Sequence, residues 1–154
     1  MSMRSSFIYG YGFTFDCKVE RFIDFIKAHR ETFCQSDAEI ELFDKLVSVN
    51  IDDYEDDLWE LWVDYNLDQY GYENEGEIVA GVMTRETDIR FIYCPADADC
   101  DTETSIVFES TYPWYMNETE RNLTQRNLDE ICKRYMDELG IAGCPDYLDL
   151  EDYG

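Results

Sequence analysis

The chain reads as an α+β domain in which a small, mainly antiparallel sheet packs with about four helices, and three features of its 154 residues predict this. Near the start, aromatic residues recur at every second position, the period of a half-buried strand. Four stretches place apolar residues three and four apart behind capping residues, the period of a helix. Short runs of β-branched and aromatic residues lie between the third and fourth of these, bounded by polar turns.

The first strand is predicted over Ser6 to Phe15, where Phe7, Tyr9, Tyr11, Phe13 and Phe15 share one face and Ile8, Gly10, Gly12 and Thr14 stand between them. Gly10 and Gly12 lack the later glycine and lysine of a phosphate loop, so they mark a bulge or a close backbone approach. Asp16 then caps a helix to about Phe33, with Val19, Phe22, Ile23, Ile26 and His29 inward and Lys18, Arg21, Lys27 and Arg30 outward. Ser36 and Glu39 form the capping box of a second helix with Ile40, Phe43, Leu46 and Val47 as its buried stripe, and Asn50 ends it. An acidic helix follows, with Asp52 as N-cap and Glu55 three residues on. Gln69 to Glu77 reads as a loop, and Ile78 to Met83, Ile89 to Cys94 and Ser105 to Glu109 read as strands, the first two joined as a hairpin at Thr84 to Thr87. Asn117 with Glu120 caps a last helix carrying Leu128, Ile131, Cys132, Tyr135 and Leu139 inward, and Gly140 stops it. After Pro145 comes an acidic tail over 146–154, in which Tyr147, Leu148 and Leu150 could dock. No internal repeat is visible.

Composition narrows the function. A content of 45% hydrophobic and 16% aromatic residues belongs to a folded chain, here one domain over 1–154. With 36 Asp and Glu against 12 Lys and Arg, the formal charge is −24, which favours a basic partner and disfavours direct contact with nucleic acid or anionic membranes. No stretch approaches the roughly 20 apolar residues of a membrane span. Cys17, Cys34, Cys94, Cys100, Cys132 and Cys144 could suggest disulfides, but the start MSMRSSFIYGYGF has no apolar signal run. Free, buried thiols and a cytoplasmic location are therefore expected, and the sequons at Asn117 and Asn122 carry no meaning there. No CxxC pair exists and His29 is the single histidine, which removes the usual zinc arrangements and Cys/His or Ser/His dyads. His29 is expected to pack or to complement a helix dipole. Carboxylate pairs are too many to single out a two-acid hydrolase, and phosphate loops and nucleophile elbows are missing, so neither an enzyme nor a cofactor is expected.

The richest stretch is DDYEDDLWELWVDYNLDQYGYENEGE, from Asp52 to Glu77, which holds 11 acids while no Lys or Arg occurs between Lys45 and Arg85. On a helix, Asp53, Asp56, Asp57, Glu60 and Asp64 fall within an arc of about 100°, with Tyr54, Leu58, Leu61, Trp62 and Tyr65 beside them as the packed side. First-turn acids favour the helix dipole, but Glu60, Asp64 and Asp68 lie beyond its reach and need another reason. Five charges over about 16 Å of helix match the roughly 3.4 Å per phosphate of one DNA strand. Two such charges about 6 Å apart in water repel by about 0.7 kcal/mol before screening, so the stripe is tolerable without being structurally useful. Asp52, Asp53, Asp56, Asp57, Glu60, Asp64 and Asp68 are thus candidate partner-binding residues. Asp97, Asp99, Asp101 and Glu103 join them. Counted from Asp97 as a calcium loop, positions six and twelve hold Thr102 and Phe108 instead of Gly and Glu, so the run reads as a solvated acidic turn, with weak calcium binding at 97–103 the other reading.

In its composition and in the helix DDYEDDLWELWVDY, the chain resembles the small acidic anti-CRISPR and antirestriction DNA mimics of phages and mobile elements. The resemblance implies a non-enzymatic inhibitor whose partner is a basic nucleic-acid-binding protein, such as a CRISPR effector nuclease, with its groove for DNA or RNA occupied. The alternative is an immunity protein that neutralises a bacterial nuclease toxin. Halophilic adaptation would spread acids evenly, whereas here six of the 12 Lys and Arg fall in the first 45 residues and the acids cluster after Asp52.

Overall fold

The computed structural model describes residues 10–50, 58–94, 104–108 and 116–148. The protein is α+β. Strands β1 (Gly10–Thr14), β2 (Phe91–Cys94), β3 (Ser105–Phe108) and β4 (Asp146–Leu148) form one sheet in the order β2-β3-β1-β4, every neighbouring pair antiparallel. Seven helices accompany it among the described residues: α1 (Val19–Ala28), α2 (Arg30–Phe33), α3 (Asp37–Val47), α4 (Leu58–Asp64), α5 (Glu75–Thr87), α6 (Glu118–Arg121) and α7 (Gln125–Leu139). Helix α5 packs on β2 and α7 on β1, and one continuous core runs between them through Phe13, Phe22, Phe25, Leu46, Ile78 and Tyr135. No helix among the described residues is long and apolar enough to cross a membrane.

The alternation in β1 holds: Tyr11, Phe13 and Phe15 are all buried, and the Tyr11 hydroxyl donates to Asp129 on α7 at 2.7 Å. Ser6 to Tyr9, the start of the predicted strand, lie outside the described residues. Gly12 is a close backbone approach, since a Cβ there would stand 2.0 Å from the carbonyl oxygen of Ile106 on β3. Asp16 does not cap α1. Phe15 and Thr104 exchange hydrogen bonds that keep the chain extended past the strand, and Lys18 becomes the N-cap, without a side-chain bond. The predicted single helix to Phe33 breaks at His29 into α1 and α2.

Ser36 caps α3 as expected, accepting the Glu39 N–H at 3.2 Å. The buried stripe is rotated by about one residue from the expected one. Glu39, Leu42, Phe43 and Leu46 face inward, Val47 is half-buried, and Ile40 is 42% exposed.

Ile78 to Met83, expected as a strand, lies inside α5. The helix starts where Asn74 accepts the Glu77 N–H at 3.0 Å while the Glu77 carboxylate accepts the Glu73 N–H at 2.6 Å. Because α5 is wedged between β2 and α2, Ile78, Val79, Ala80, Val82 and Met83 are all buried. A helix buried on most sides has no polar face, and without one the run cannot be told from a strand by period. Thr84 to Thr87, expected as a hairpin turn, is the last turn of α5, and the Thr84 hydroxyl oxygen accepts the Phe91 N–H at 2.9 Å to tie helix to sheet. Gly76 lies against the Tyr93 ring of β2, with space for no Cβ. Asn74→Ala is expected to lower stability by about 1 kcal/mol, read as an earlier urea midpoint, because one orphan N–H loses its acceptor.

The last helix is two. Asn117 makes the complete capping box with Glu120, but for the single turn of α6, and Thr124 caps α7. Helix α7 buries Leu128, Cys132, Tyr135, Met136 and Leu139, with Ile131 half-buried, and Gly140 ends it at φ +74°. The predicted acidic tail begins as structure, since Asp146 to Leu148 pair with β1 as β4. Residues 149–154 lie outside the described residues.

Candidate partner-binding surface

Of the predicted site residues, Asp52, Asp53, Asp56 and Asp57 and the run Asp97, Asp99, Asp101 and Glu103 lie outside the described residues. Glu60, Asp64 and Asp68 are described, and all three are exposed. Helix α4 is fixed from beneath by Leu61 and Trp62, both buried; the Trp62 indole N–H donates to the Tyr72 carbonyl at 2.9 Å and its ring packs 6.4 Å from that of Phe22. Residues three and four apart share a helix face, so burying Leu61 and Trp62 turns Glu60, Val63 and Asp64 outward together. Val63 is 56% exposed.

The stripe does not continue to Asp68 on one axis. Asn66 takes the left-handed conformation at φ +55°, which Asn tolerates better than most residues, and ends the helix. Asp68 then sits on a separate 3₁₀ turn, Leu67–Tyr70, whose Leu67 is buried. Tyr65, expected on the packed side, lies just past the last residue of α4 and is 39% exposed. The result is an outward surface in which two large apolar side chains stand among carboxylates. Arg85, the next cation along the chain after Lys45, is committed elsewhere, to Glu39 at 2.9 Å.

That commitment anchors the surface. Glu39 is 5% exposed and its carboxylate receives the Tyr72 hydroxyl at 2.6 Å, an Arg85 N–H at 2.9 Å and the Gln35 N–H at 3.0 Å. Burial pushes this carboxyl up, but the bonds from Tyr72, Arg85 and Gln35 outweigh it and hold Glu39 below its ordinary value. The same burial, with Glu39 as acceptor, pushes the Tyr72 hydroxyl up to about 12. Through Tyr72, the segment that follows the 3₁₀ turn is tied to α3 and α5. In the sequence Glu39 shows only as a cap partner.

A second polar cluster joins four helices. The His29 ring stacks 4.4 Å from Phe25, with Nδ1 2.6 Å from Glu86 on α5 and Nε2 2.7 Å from Glu138 on α7. Glu86 also receives Thr32 Oγ1 at 2.9 Å and the Tyr135 hydroxyl at 2.6 Å. With a carboxylate on each ring nitrogen, the doubly protonated ring is the form that satisfies both, and such an imidazolium is not free to accept a proton from a substrate. His29 does pack, as expected, but as an ionic link between helices. Nothing within its own helix pointed to this, because both partners are more than fifty residues away.

Cys17, Cys34, Cys94, Cys132 and Cys144 are free thiols. Cys17 and Cys132 are buried, and burial pushes each up to about 12, which keeps them protonated and inert. Cys34 and Cys94 are half-buried and Cys144 is exposed, against the expectation of burial, while Cys100 lies outside the described residues. Among the described residues no group of three His, Cys, Asp or Glu is arranged to hold a metal ion. Comparison of the chain with protein-family models, with curated proteins and with solved structures returns no match.

Proposed function

We propose that this protein is a non-enzymatic inhibitor that occupies the basic nucleic-acid-binding cleft of a host-defence nuclease, such as a CRISPR effector, by imitating DNA or RNA in the host cytoplasm. The observation that supports this best is the outward surface at the end of α4, where Val63 is exposed between Glu60 and Asp64 and exposed Tyr65 follows them. Carboxylates at helical spacing suit cations that otherwise grip phosphates. Exposed apolar side chains in their midst supply the desolvated anchors that a purely ionic contact lacks.

The test uses the whole chain against a lysate from the host, first at low and then at high salt, followed by competition between the captured nuclease and labelled duplex. The triple variant Glu60→Gln, Asp64→Asn, Asp68→Asn is expected to associate roughly tenfold more slowly and with a shallower salt dependence, since such charges steer encounter. Its unfolding midpoint should be unchanged or higher. Val63→Ser should instead speed dissociation. A captured nuclease that binds its substrate at full affinity would show that the cleft is not the site.

A further inference from the structure

His29 is the one histidine in the chain, and the groups that face it come from four helices. Phe25 of α1 stacks on the ring, Thr32 of α2 donates to Glu86, and Glu86 closes α5 against it. From α7 come Glu138 on Nε2 and Tyr135, whose hydroxyl donates to Glu86 and accepts from Arg134 at 2.9 Å.

The two carboxylates are not held equally. Glu86 has three donors: the ring, Thr32 and Tyr135. Among the described residues, the ring is the one hydrogen-bond partner of the Glu138 carboxylate, which is 32% exposed. Glu138 also stands in the last turn of α7, next to Asp137, and that turn has no basic residue of its own. Negative charge at the carboxyl end of a helix is unfavourable, and the cations that offset it come from other elements: Arg21 of α1, which lies against Gly140, and the His29 ring on Glu138.

We propose that His29 is a pH-operated latch on the carboxyl end of α7: losing one ring proton releases Glu138 and loosens the last turn of α7, while Glu86 stays bound and the segment beyond Gly140 keeps its own ties, Tyr11 on the Pro145 carbonyl and the pairing of β4 with β1. A neutral imidazole has one N–H and one lone pair, and the lone pair cannot face a carboxylate at hydrogen-bond distance. Thr32 and Tyr135 fix Glu86 in place, so the remaining proton stays on Nδ1. Glu138, at a helix end and beside solvent, swings away.

Electrostatics gives the direction. Burial disfavours the charged ring, yet hydrogen bonds from Glu138 and Glu86 outweigh it and hold His29 above its ordinary value. Burial likewise pushes Glu86 up, and Tyr135, His29 and Thr32 together bring it below its ordinary value. A histidine raised in the folded state contributes stability in full below its unfolded value and loses it as pH rises through the folded value. The latch is therefore closed in mildly acidic solution and opens above the raised imidazole value.

The test follows the single imidazole by NMR in the full chain, with amide exchange protection, corrected for intrinsic rates, measured on either side of its midpoint. The midpoint should lie above that of the same chain in urea. Protection over residues 136–141 should fall at least tenfold across it, while residues 91–94, 105–108 and 146–148 keep theirs. Glu138→Gln should lower the midpoint and leave the protection of 136–141 low at every pH. Because Glu138 is partly exposed, this variant is the safer one to fold; His29→Gln should reproduce the open state if it folds. The proposal is overturned by a midpoint at or below the unfolded value, by a midpoint that Glu138→Gln leaves unmoved, or by an equal loss of protection in both regions.

Discussion

Glu39→Ala is expected to cost about 3 kcal/mol, while Ile40→Ala, one residue along, stays within about 0.5 kcal/mol. Removing a carboxylate from a buried pair strands its donors: here the Tyr72 hydroxyl loses its acceptor, and the Gln35 N–H and the Arg85 guanidinium each lose their charged one, keeping the Phe33 carbonyl and, for Arg85, that of Thr32 as well. The cost falls at the low end of the range for broken buried pairs because Arg85 is 38% exposed and recovers water. Ile40 is 42% exposed and gives up little by being shortened. Urea midpoints of the two variants measure the contrast. A reversed order, with Ile40→Ala the costlier, would mean that α3 buries the face expected from its sequence and not the one seen here. The Glu39 network also has a pH signature opposite to that of His29. Its carboxyl is held below the ordinary value, so its contribution is present above that value and lost as pH falls through the lowered one.

This inverted pair shows what the sequence carries and what it does not. Starting from Ser36, both Ile40 and Glu39 fit an amphipathic helix, and hydrophobicity alone chooses Ile40 for the core. The choice is reversed by Arg85 and Tyr72, which arrive from other parts of the chain and make a buried carboxylate tolerable. Where burial is one-sided, as along β1 and on α7, period reads the structure well. Where it is many-sided, as along Ile78 to Met83, period is silent. The cap at Asn74, with Glu77 three residues on, was the one signal there that pointed to a helix. Of the candidate surface, the outward direction of Glu60 and Asp64 was legible from spacing. The separate axis of Asp68 was written only in Asn66, a residue that reads as a helix end once its positive φ is known.

Gly12→Ala is expected to abolish the sheet. A methyl group at this position would lie 2.0 Å from Ile106 O and 2.6 Å from Val107 Cα, both backbone atoms of the strand paired with it. A flexible side chain could move aside, but β3 is held on its other edge by β2 and cannot retreat without breaking the register Ile92↔Val107. Overpacking in a core costs about 1–3 kcal/mol where neighbours can relax, and the clash at Gly12 should exceed this range. Gly81, also in a regular element, is the control. Nothing lies within 4 Å of its added Cβ, so Gly81→Ala should stabilise α5 by about 0.5–1 kcal/mol. Thermal unfolding of the two variants should therefore shift in opposite directions. A folded Gly12→Ala protein with an unchanged midpoint would contradict the β1–β3 approach.

The order β2-β3-β1-β4 sets a timetable for the ribosome. Gly12 on β1 waits for Val107, 95 positions on, and for Asp146, 134 positions on, before both edges of its strand are paired. Translation at about 5–20 residues per second makes the longer wait about 7 to 27 seconds, during which Tyr11, Phe13 and Phe15 lack a complete sheet to enter. An unpaired aromatic strand is the kind of segment that neighbouring nascent chains recruit. The same interval brings out most of the acids, and their mutual repulsion keeps newly made chains apart until Asp146 to Leu148 close the last edge.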